Sequence, residues 1–231
     1  MTFGGLQKLT LIDYPGRIAA TVFTVGCNFL CPYCHNPELV DPVKIKKQPK
    51  ISEQEILNFL KSRQGMLEAV CITGGEPTLY PDLPDFIKKI KKMGFLVKLD
   101  TNGSSPTMLE KLLKEKLVDY IAMDIKAPLE KYKEIVGREV ILENIQESTE
   151  LTKQAPDYEF RTTILPKLYN RKDILSIGRL LQGAKKYYLQ QFQPQKTLDK
   201  AYEGEKTFDW KKLVALCNGL KPFFDLCEIR E

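Results

Sequence analysis

The sequence predicts an α/β fold, a partial (β/α)6 barrel of the TIM type with a parallel sheet and helices outside it. Six short runs of β-branched and aromatic residues alternate with segments of helical periodicity, and this alternation is typical of parallel sheets. Six strands are too few for the eight of a complete barrel. We therefore favour an open partial barrel, with a flat doubly wound sheet as the alternative.

Local signals give the strand and helix positions. Each predicted strand is a short apolar run bounded by turn residues or charged residues. Two helix starts carry signals of their own, because Ser52 and Glu55 have capping-box spacing and Ser105 is followed by Pro106 at a first helical position. The strands cover 18–23, 69–73, 95–100, 120–124, 158–165 and 187–192, and helical periodicity runs through Ile56, Leu57 and Leu60, through Phe86, Ile87, Ile90 and Met93, through Leu109, Leu112 and Leu113, and through Ile174, Ile177 and Leu181.

Composition predicts a single domain covering 1–231. The 231 residues are 43% hydrophobic and 28% charged, which is ordinary globular composition, and no linker rich in glycine or serine divides them. The chain shows no secretory signal and no apolar run near the ~20 residues of a membrane span. We therefore expect a cytoplasmic protein without a membrane segment.

The charge pattern argues against a nucleic-acid partner. The 35 basic and 30 acidic residues leave a net charge of +5, and the lysines are scattered along the chain. This mild basicity still fits an acidic protein partner. The densest group, Lys44, Lys46, Lys47 and Lys50, lies among prolines in 41–50, which we interpret as a solvated loop, with a docking loop as the alternative.

Three closely spaced cysteines follow the first predicted strand. Cys27, Cys31 and Cys34 form a metal site that is one ligand short, and a reducing compartment favours metal binding over disulfides. A 4Fe-4S cluster held by three cysteines leaves one iron open to an outside ligand. The alternative is a structural zinc held by the three cysteines and His35, but adjacent Cys34 and His35 are awkward tetrahedral partners.

The other cysteines and the single histidine have more ordinary interpretations. His35 is more typical of a hydrogen-bonding loop residue beside the metal than of a general base. Cys71, Cys217 and Cys227 stand apart from one another in the sequence. We expect them to be small buried hydrophobic residues.

Nearly every predicted strand ends in polar or glycine-rich residues. In parallel βα folds the carboxyl ends of the strands lie at the same edge, and ligands bind there. Six such loops predict one polar cavity with the cysteine loop at its lip. These strand ends are the loop from Cys27 onward, 73–77, 100–103, 124–126, Arg161 and 190–193.

The Cys-x3-Cys-x2-Cys loop resembles the signature of the radical S-adenosylmethionine superfamily. The resemblance implies a 4Fe-4S cluster on the three cysteines, with S-adenosylmethionine as the missing ligand. It also implies that Tyr33 lies near the adenine and that Gly74, Gly75 and Glu76, followed by Pro77, meet the methionine amino group. No catalytic residue beyond the cluster ligands is implied.

Further positions resemble those of glycyl-radical activating enzymes. There the matching residues hold the ribose, amino group or carboxylate of the cofactor, and some of them place a monovalent cation. The cofactor positions are Thr101, Asn102, Asp124, Lys126 and Arg161, and the cation positions are Asp100, Thr101 and Asp124.

The N-terminal run from Leu9 to Arg17, together with the cysteine loop, resembles the anaerobic ribonucleoside-triphosphate reductase activating protein family. This implies abstraction of a glycine α-hydrogen from the anaerobic ribonucleotide reductase, with a one-electron donor such as flavodoxin or ferredoxin. The alternatives are a pyruvate formate-lyase type of activating enzyme, a small-molecule radical enzyme such as 7-carboxy-7-deazaguanine synthase, and a zinc-stapled binding module.

Overall fold

A computed structural model describes residues 1–230 and contains one sheet of eight strands whose spatial order follows the chain. The strands are β1 Phe3–Thr10, β2 Ala19–Thr24, β3 Ala69–Gly74, β4 Leu96–Thr101, β5 Tyr120–Asp124, β6 Tyr158–Ile164, β7 Ala184–Gln191 and β8 Phe224–Arg230. β1 is antiparallel to β2, and every later neighbouring pair is parallel.

The topology is that of an open barrel. Parallel crossovers are almost always right-handed, so a strand order that never reverses keeps all the crossover helices on one side. A doubly wound sheet would require a reversal of strand order. The predicted α/β fold and partial barrel are therefore confirmed, and the doubly wound alternative is wrong.

Two strands extend the six that the sequence predicts. β1 contains two consecutive glycines and buries only its two end residues, Phe3 and Thr10, so it has no apolar run. β8 buries only Phe224 and Cys227, and its other residues include the charged Asp225, Glu228 and Arg230. Both are terminal strands of the sheet with one neighbour each, and such strands need little continuous hydrophobicity.

Nine α-helices are described in residues 1–230, with short 3₁₀ turns between some of them. Ser52 and Glu55 form the predicted capping box. Pro106 opens its helix as predicted, although the Ser105 side chain makes no capping hydrogen bond. The helices are α1 Pro37–Val40, α2 Pro42–Lys47, α3 Glu53–Lys61, α4 Leu83–Lys92, α5 Pro106–Lys114, α6 Tyr132–Val136, α7 Leu142–Thr152, α8 Arg171–Leu180 and α9 Trp210–Leu220.

The interpretation of 41–50 as a loop is wrong over most of its length. Asp41 Oδ1 accepts hydrogen bonds from the backbone N–H groups of Val43 and Lys44, and Pro42 occupies the first helical position. An N-cap and a proline at this position together start a helix. The lysines of this stretch therefore lie on α2 and just beyond it.

The core lies between the sheet and the helices, and a smaller apolar cluster closes the floor of the barrel at the amino ends of the strands. In that cluster Tyr14 packs on Tyr120 with ring centroids 5.7 Å apart, beside Ala19 and Ala69. The carboxyl ends of the parallel strands all lie at the opposite end. No helix within residues 1–230 is both long and apolar enough to cross a bilayer.

Candidate functional site

A cavity of about 260 Å³ lies at the carboxyl ends of the strands. Every site residue that the sequence predicts lines it. They are Cys27, Cys31, Tyr33, Cys34, Gly74, Gly75, Glu76, Thr101, Asn102, Asp124, Lys126 and Arg161.

The cysteine loop forms one wall of this cavity. Cys31 is buried, whereas Cys27 and Cys34 are partly exposed. The Phe29 backbone N–H donates to Cys27 Sγ at 3.4 Å, and Asn102 Nδ2 lies 3.8 Å from the same sulfur. Burial raises the pKa values of Cys27 and Cys31 to about 12. These thiols are therefore neutral without a metal, and metal binding must release their protons.

The three sulfurs are not arranged around a single ion. A tetrahedral zinc with Zn–S distances of about 2.3 Å holds its sulfurs about 3.8 Å apart. Within residues 1–230 no three histidine, cysteine, aspartate or glutamate side chains come close enough to share one metal ion. In a cubane each cysteine binds a different iron, so a wider separation of three sulfurs on one loop fits a cluster.

The loop after β3 contacts the start of the cysteine loop so closely that position 75 must be a glycine. Its backbone N–H donates to Thr24 O at 2.9 Å, and the next N–H, that of Glu76, donates to Gly26 O at 2.8 Å. A Cβ on Gly75 would lie deep inside the van der Waals radius of the Gly26 carbonyl oxygen. A side chain at position 75 would therefore displace the start of the cysteine loop itself.

Glu76 joins the β3 and β4 strand ends and is almost fully buried. Its Oε1 accepts hydrogen bonds from Thr78 N–H, Thr78 Oγ1 and Thr101 Oγ1, at 3.0, 2.5 and 2.8 Å. Oε2 accepts only the Asn102 N–H, at 2.6 Å. Burial raises the pKa of Glu76 despite these donors. Oε2 keeps the capacity to accept another donor from the cavity.

A network of charged side chains extends from β4, β6 and the end of β5 to the cavity, which Asp100, Asp124, Lys126 and Arg161 line. Arg161 contacts Asp124 Oδ1 at 3.1 Å and Asp100 Oδ2 at 3.3 Å, while Lys126 Nζ lies 3.3 Å from Asp124 Oδ2. Lys98, whose side chain is only 2% exposed, holds Asp100 Oδ1 at 2.5 Å. Arg161 also lies 3.8 Å from the buried Glu159, which pairs with Arg230 at 2.7 Å. Four cationic side chains therefore face three carboxylates, which leaves one excess positive charge.

The ionisation of Asp124 follows from this network. Burial acts to raise its pKa, but Arg161 and Lys126 outweigh burial and lower it to about 2. Asp124 is therefore ionised at neutral pH, and the excess positive charge persists. A small anion such as a carboxylate would balance it.

Aromatic rings close the other side of the site. Tyr33 is buried, with its hydroxyl 3.3 Å from that of Tyr169, and the Tyr169 hydroxyl donates to Lys126 O. His35 stacks on Phe192 with ring centroids 5.5 Å apart. Its Nε2 is buried without a hydrogen-bond partner among residues 1–230, and burial lowers the His35 pKa. This orphaned nitrogen fits a site that is completed by a bound group.

The sequence prediction missed several residues of the site. Lys98 lies two positions before Asp100 and Thr163 two positions after Arg161, so each shares a strand face with a predicted residue. Period-two spacing from the predicted residues is the signal that finds them. The other cavity residues to which the sequence analysis assigns no cluster, cofactor or monovalent-cation role are Phe29, His35, Asn36, Val40, Thr73 and Gln190.

Two other groups of predicted residues lie away from the cavity. The run from Leu9 to Arg17 connects β1 to β2 at the floor of the barrel, where Tyr14 is buried. Cys71, Cys217 and Cys227 are buried, as predicted, and the sulfurs of the last two lie 3.5 Å apart.

A family model and named relatives were compared with this chain. Residues 21–181 match the family model of the Radical SAM superfamily. A protein of Methanocaldococcus jannaschii named "Putative glycyl-radical enzyme activating enzyme" is 36% identical over 205 residues, which cover 86% of this chain and 83% of that protein. A 7-carboxy-7-deazaguanine synthase of Methanothermobacter thermautotrophicus is 35% identical over 113 residues, covering 48% of this chain and 42% of the synthase.

A solved structure shares the fold. Streptococcus suis SuiB bound to the precursor peptide SuiA superimposes with a TM-score of 0.68 at 13% identity. The match covers 91% of this chain, and this chain spans about half the length of SuiB, 48%. Identity this low supports the fold alone.

Proposed function

We propose that this chain, which belongs to the radical SAM superfamily, is an activating enzyme that abstracts a glycine α-hydrogen from a partner protein and leaves a glycyl radical there. The observation that carries the proposal is the match to the activating enzyme, which spans most of both chains. The match to the small-molecule synthase covers about half of each chain.

The residues of the cavity fit the groups that the family implies. Three cysteines on one loop are a donor set for three irons, and the orphaned His35 Nε2 and the free side of Glu76 Oε2 face a space that a ligand would complete. When bound, the cluster and S-adenosylmethionine supply the one-electron cleavage that yields a hydrogen-abstracting radical.

We assign the binding roles from charge. Arg161 and Lys126 contribute the excess positive charge that would hold the methionine carboxylate, and Glu76 Oε2 would accept from its ammonium. Thr101 and Asn102, on the next strand end, lie where they would hydrogen-bond the ribose. The apolar ring of Tyr33 would pack near the adenine.

The charge network bears on the predicted monovalent cation. Both oxygens of Asp100 and both oxygens of Asp124 already contact cationic side chains. We propose that the Lys98 ammonium supplies the positive charge that a bound Na⁺ or K⁺ would supply. Cofactor binding should then be independent of either ion.

The size of the cavity favours a protein substrate. This cavity, of about 260 Å³, is just below the roughly 300–1,000 Å³ that is typical of pockets for one small ligand. It leaves little room for a second small molecule beside a bound cofactor, so the hydrogen donor would have to reach in from outside. An extended loop of another protein can do so.

The anaerobic ribonucleotide reductase is our proposal for the partner. It is supported by the resemblance of the run from Leu9 to Arg17, which makes no contact with the cavity. The pyruvate formate-lyase type of partner would use the same site chemistry.

An anaerobic assay tests this function. The reconstituted protein is incubated with the reductase, S-adenosylmethionine and a small reductant, and the glycyl radical is followed by paramagnetic resonance. We expect the radical signal, and none from a Cys31→Ala variant. Cofactor cleavage without a protein radical would favour a small-molecule substrate, and tightly held zinc without any cluster would favour a binding module.

A further inference from the structure

We propose that α2 and the residues just after it form a docking surface for an acidic protein that carries one electron. We call this surface the lysine patch, and it consists of Lys44, Lys46, Lys47 and Lys50. The inference rests on the proposed function, because that reaction requires one electron from outside the chain in each cycle.

Within residues 1–230 the four ammonium groups of the lysine patch form no ion pair. Lys46, Lys47 and Lys50 are exposed, and Lys44 is half-buried. No carboxylate of residues 1–230 lies within 4 Å of any of the four ammonium groups. The two acidic residues nearby are engaged elsewhere, because Glu38 pairs with Lys196 at 2.5 Å and Asp41 caps α2. The patch therefore projects its positive charge into solvent.

α2 forms although none of its residues is buried in the core. The helix buries none of its six residues, and it depends on the Asp41 cap and on Pro42. Val43 is 63% exposed and lies among the lysines. The exposed surface of α2 therefore combines lysine side chains with one apolar side chain that a partner can reach.

The lysine patch lies next to the cysteine loop. The Gly26 N–H, directly before Cys27, donates to Leu39 O of α1 at 2.6 Å, and Val40 lines the cavity. α2 begins two residues after Val40 and is about 9 Å long. Asn36 lines both the cavity and a shallow groove that extends to Gln48, just past α2. A protein bound to α2 would therefore hold its redox centre close to the cluster loop.

The electron transfer is balanced without any other reactant. One electron leaves the reduced carrier and enters the oxidised cluster, so the carrier is oxidised by one electron and the cluster is reduced by one. No bond forms or breaks. An acidic carrier would be attracted by the lysine patch, and such steering raises association rates by roughly 10–10³-fold.

The experiment compares a patch variant with a matched control. In the patch variant Lys44, Lys46, Lys47 and Lys50 are all changed to Gln, a residue that favours helices as lysine does. In the control Lys92, Lys111, Lys114 and Lys116 are changed to Gln. The control lysines are exposed and lie at the carboxyl ends of α4 and α5, towards the barrel floor.

Two readouts do not depend on radical formation. The first is the rate at which reduced flavodoxin, an acidic electron carrier, bleaches the visible absorption of the cluster. The second is the calorimetric affinity of oxidised flavodoxin for the cluster-free protein. Photoreduced deazaflavin, which needs no docking surface, serves as the small reductant for comparison.

We expect the patch variant to react with flavodoxin at least 10-fold more slowly than the control at low salt, and to bind it correspondingly more weakly. The difference should shrink at high salt, where charges are screened beyond a few ångströms. Reduction by deazaflavin should be unchanged. Replacing the same four residues by Arg should preserve the rate.

Three results would overturn the proposal. Equal rates for patch and control variants would mean that the lysines are only solvated. Slower reduction by deazaflavin as well would mean that the substitutions disturb the cluster. If both donors reduced the patch variant normally but no glycyl radical formed, the lysine patch would bind the glycyl-radical protein and not the electron carrier. A missing glycyl radical in the wild type would instead count against the proposed function.

Discussion

Changing Lys98 to Met removes a buried ammonium and leaves Asp100 with Arg161 alone. Lys98 is 2% exposed and holds Asp100 Oδ1 at 2.5 Å, while Arg161 holds the other oxygen at 3.3 Å. Removing one partner of a buried ion pair costs about 3–5 kcal/mol. Because Arg161 still compensates Asp100, we expect Lys98→Met to lower the free energy of unfolding by about 3 kcal/mol, the lower end of this range.

That loss should be measurable by thermal unfolding of the cluster-free protein. For a domain of this size 1 kcal/mol corresponds to roughly 2–4 °C, so the melting temperature should fall by about 6–12 °C. Lys111→Met, at an exposed position, is the control and should change it little. Lys98→Met, Asp100→Asn should recover part of the loss, because the uncompensated carboxylate is gone.

The same variant tests the electrostatic role of Lys98. Losing this charge removes the excess positive charge of the network at the cavity, so S-adenosylmethionine should bind the reconstituted variant more weakly than the wild type. Wild-type affinity should be the same in Na⁺, K⁺ and choline salts. A Lys98→Met variant as stable as the wild type, or wild-type affinity that depends on K⁺, would refute the reasoning.

Three further substitutions test the site. Cys31→Ala should abolish cluster binding and cofactor cleavage, measured by iron content and product analysis, and a normal cluster would show that the ligand is misassigned. Gly75→Ala should lower cluster content and stability together, because its Cβ meets the Gly26 carbonyl; full cluster loading would contradict that contact. Asp124→Asn should lower the free energy of unfolding by about 2 kcal/mol at pH 7. The reason is that folding lowers the Asp124 pKa from 3.8 to about 2, which stabilises the folded state above pH 4. The difference in unfolding free energy between the wild type and this variant, measured with urea, should disappear as the pH falls from about 4 to 2. A difference that stayed constant over this range would contradict the ion pairing of Asp124.

Much of the site could be predicted because polar residues that follow buried strands do not contribute to the core and therefore indicate a ligand site. Asp124 ends β5, and Arg161 lies in register beside it in the middle of β6, so the parallel pairing of the two strands brings them together. Lys98 could not be recognised in the same way. A lysine within a strand is usually solvent-facing, and only the barrel interior and the carboxylate of Asp100 explain its burial.

The physical role of Gly75 also depended on the structure. The resemblance places Gly75 in a loop that meets the methionine amino group, whereas the closest approach at Gly75 in the structure is to the Gly26 carbonyl. A glycine indicates that space is restricted, and the sequence does not say which neighbour restricts it. α2 was missed for a related reason, because a lysine-rich stretch between prolines carries no apolar periodicity and its helix depends on the Asp41 cap.

Hydrogen transfer is the most direct measurement of the central claim. The anaerobic ribonucleotide reductase is prepared with glycine deuterated at the α-carbon and incubated anaerobically with this protein, S-adenosylmethionine and a reductant. The account predicts one deuterium in the 5′-deoxyadenosine product, together with a radical on the reductase. Unlabelled 5′-deoxyadenosine, released while the reductase stays free of any radical, would contradict it.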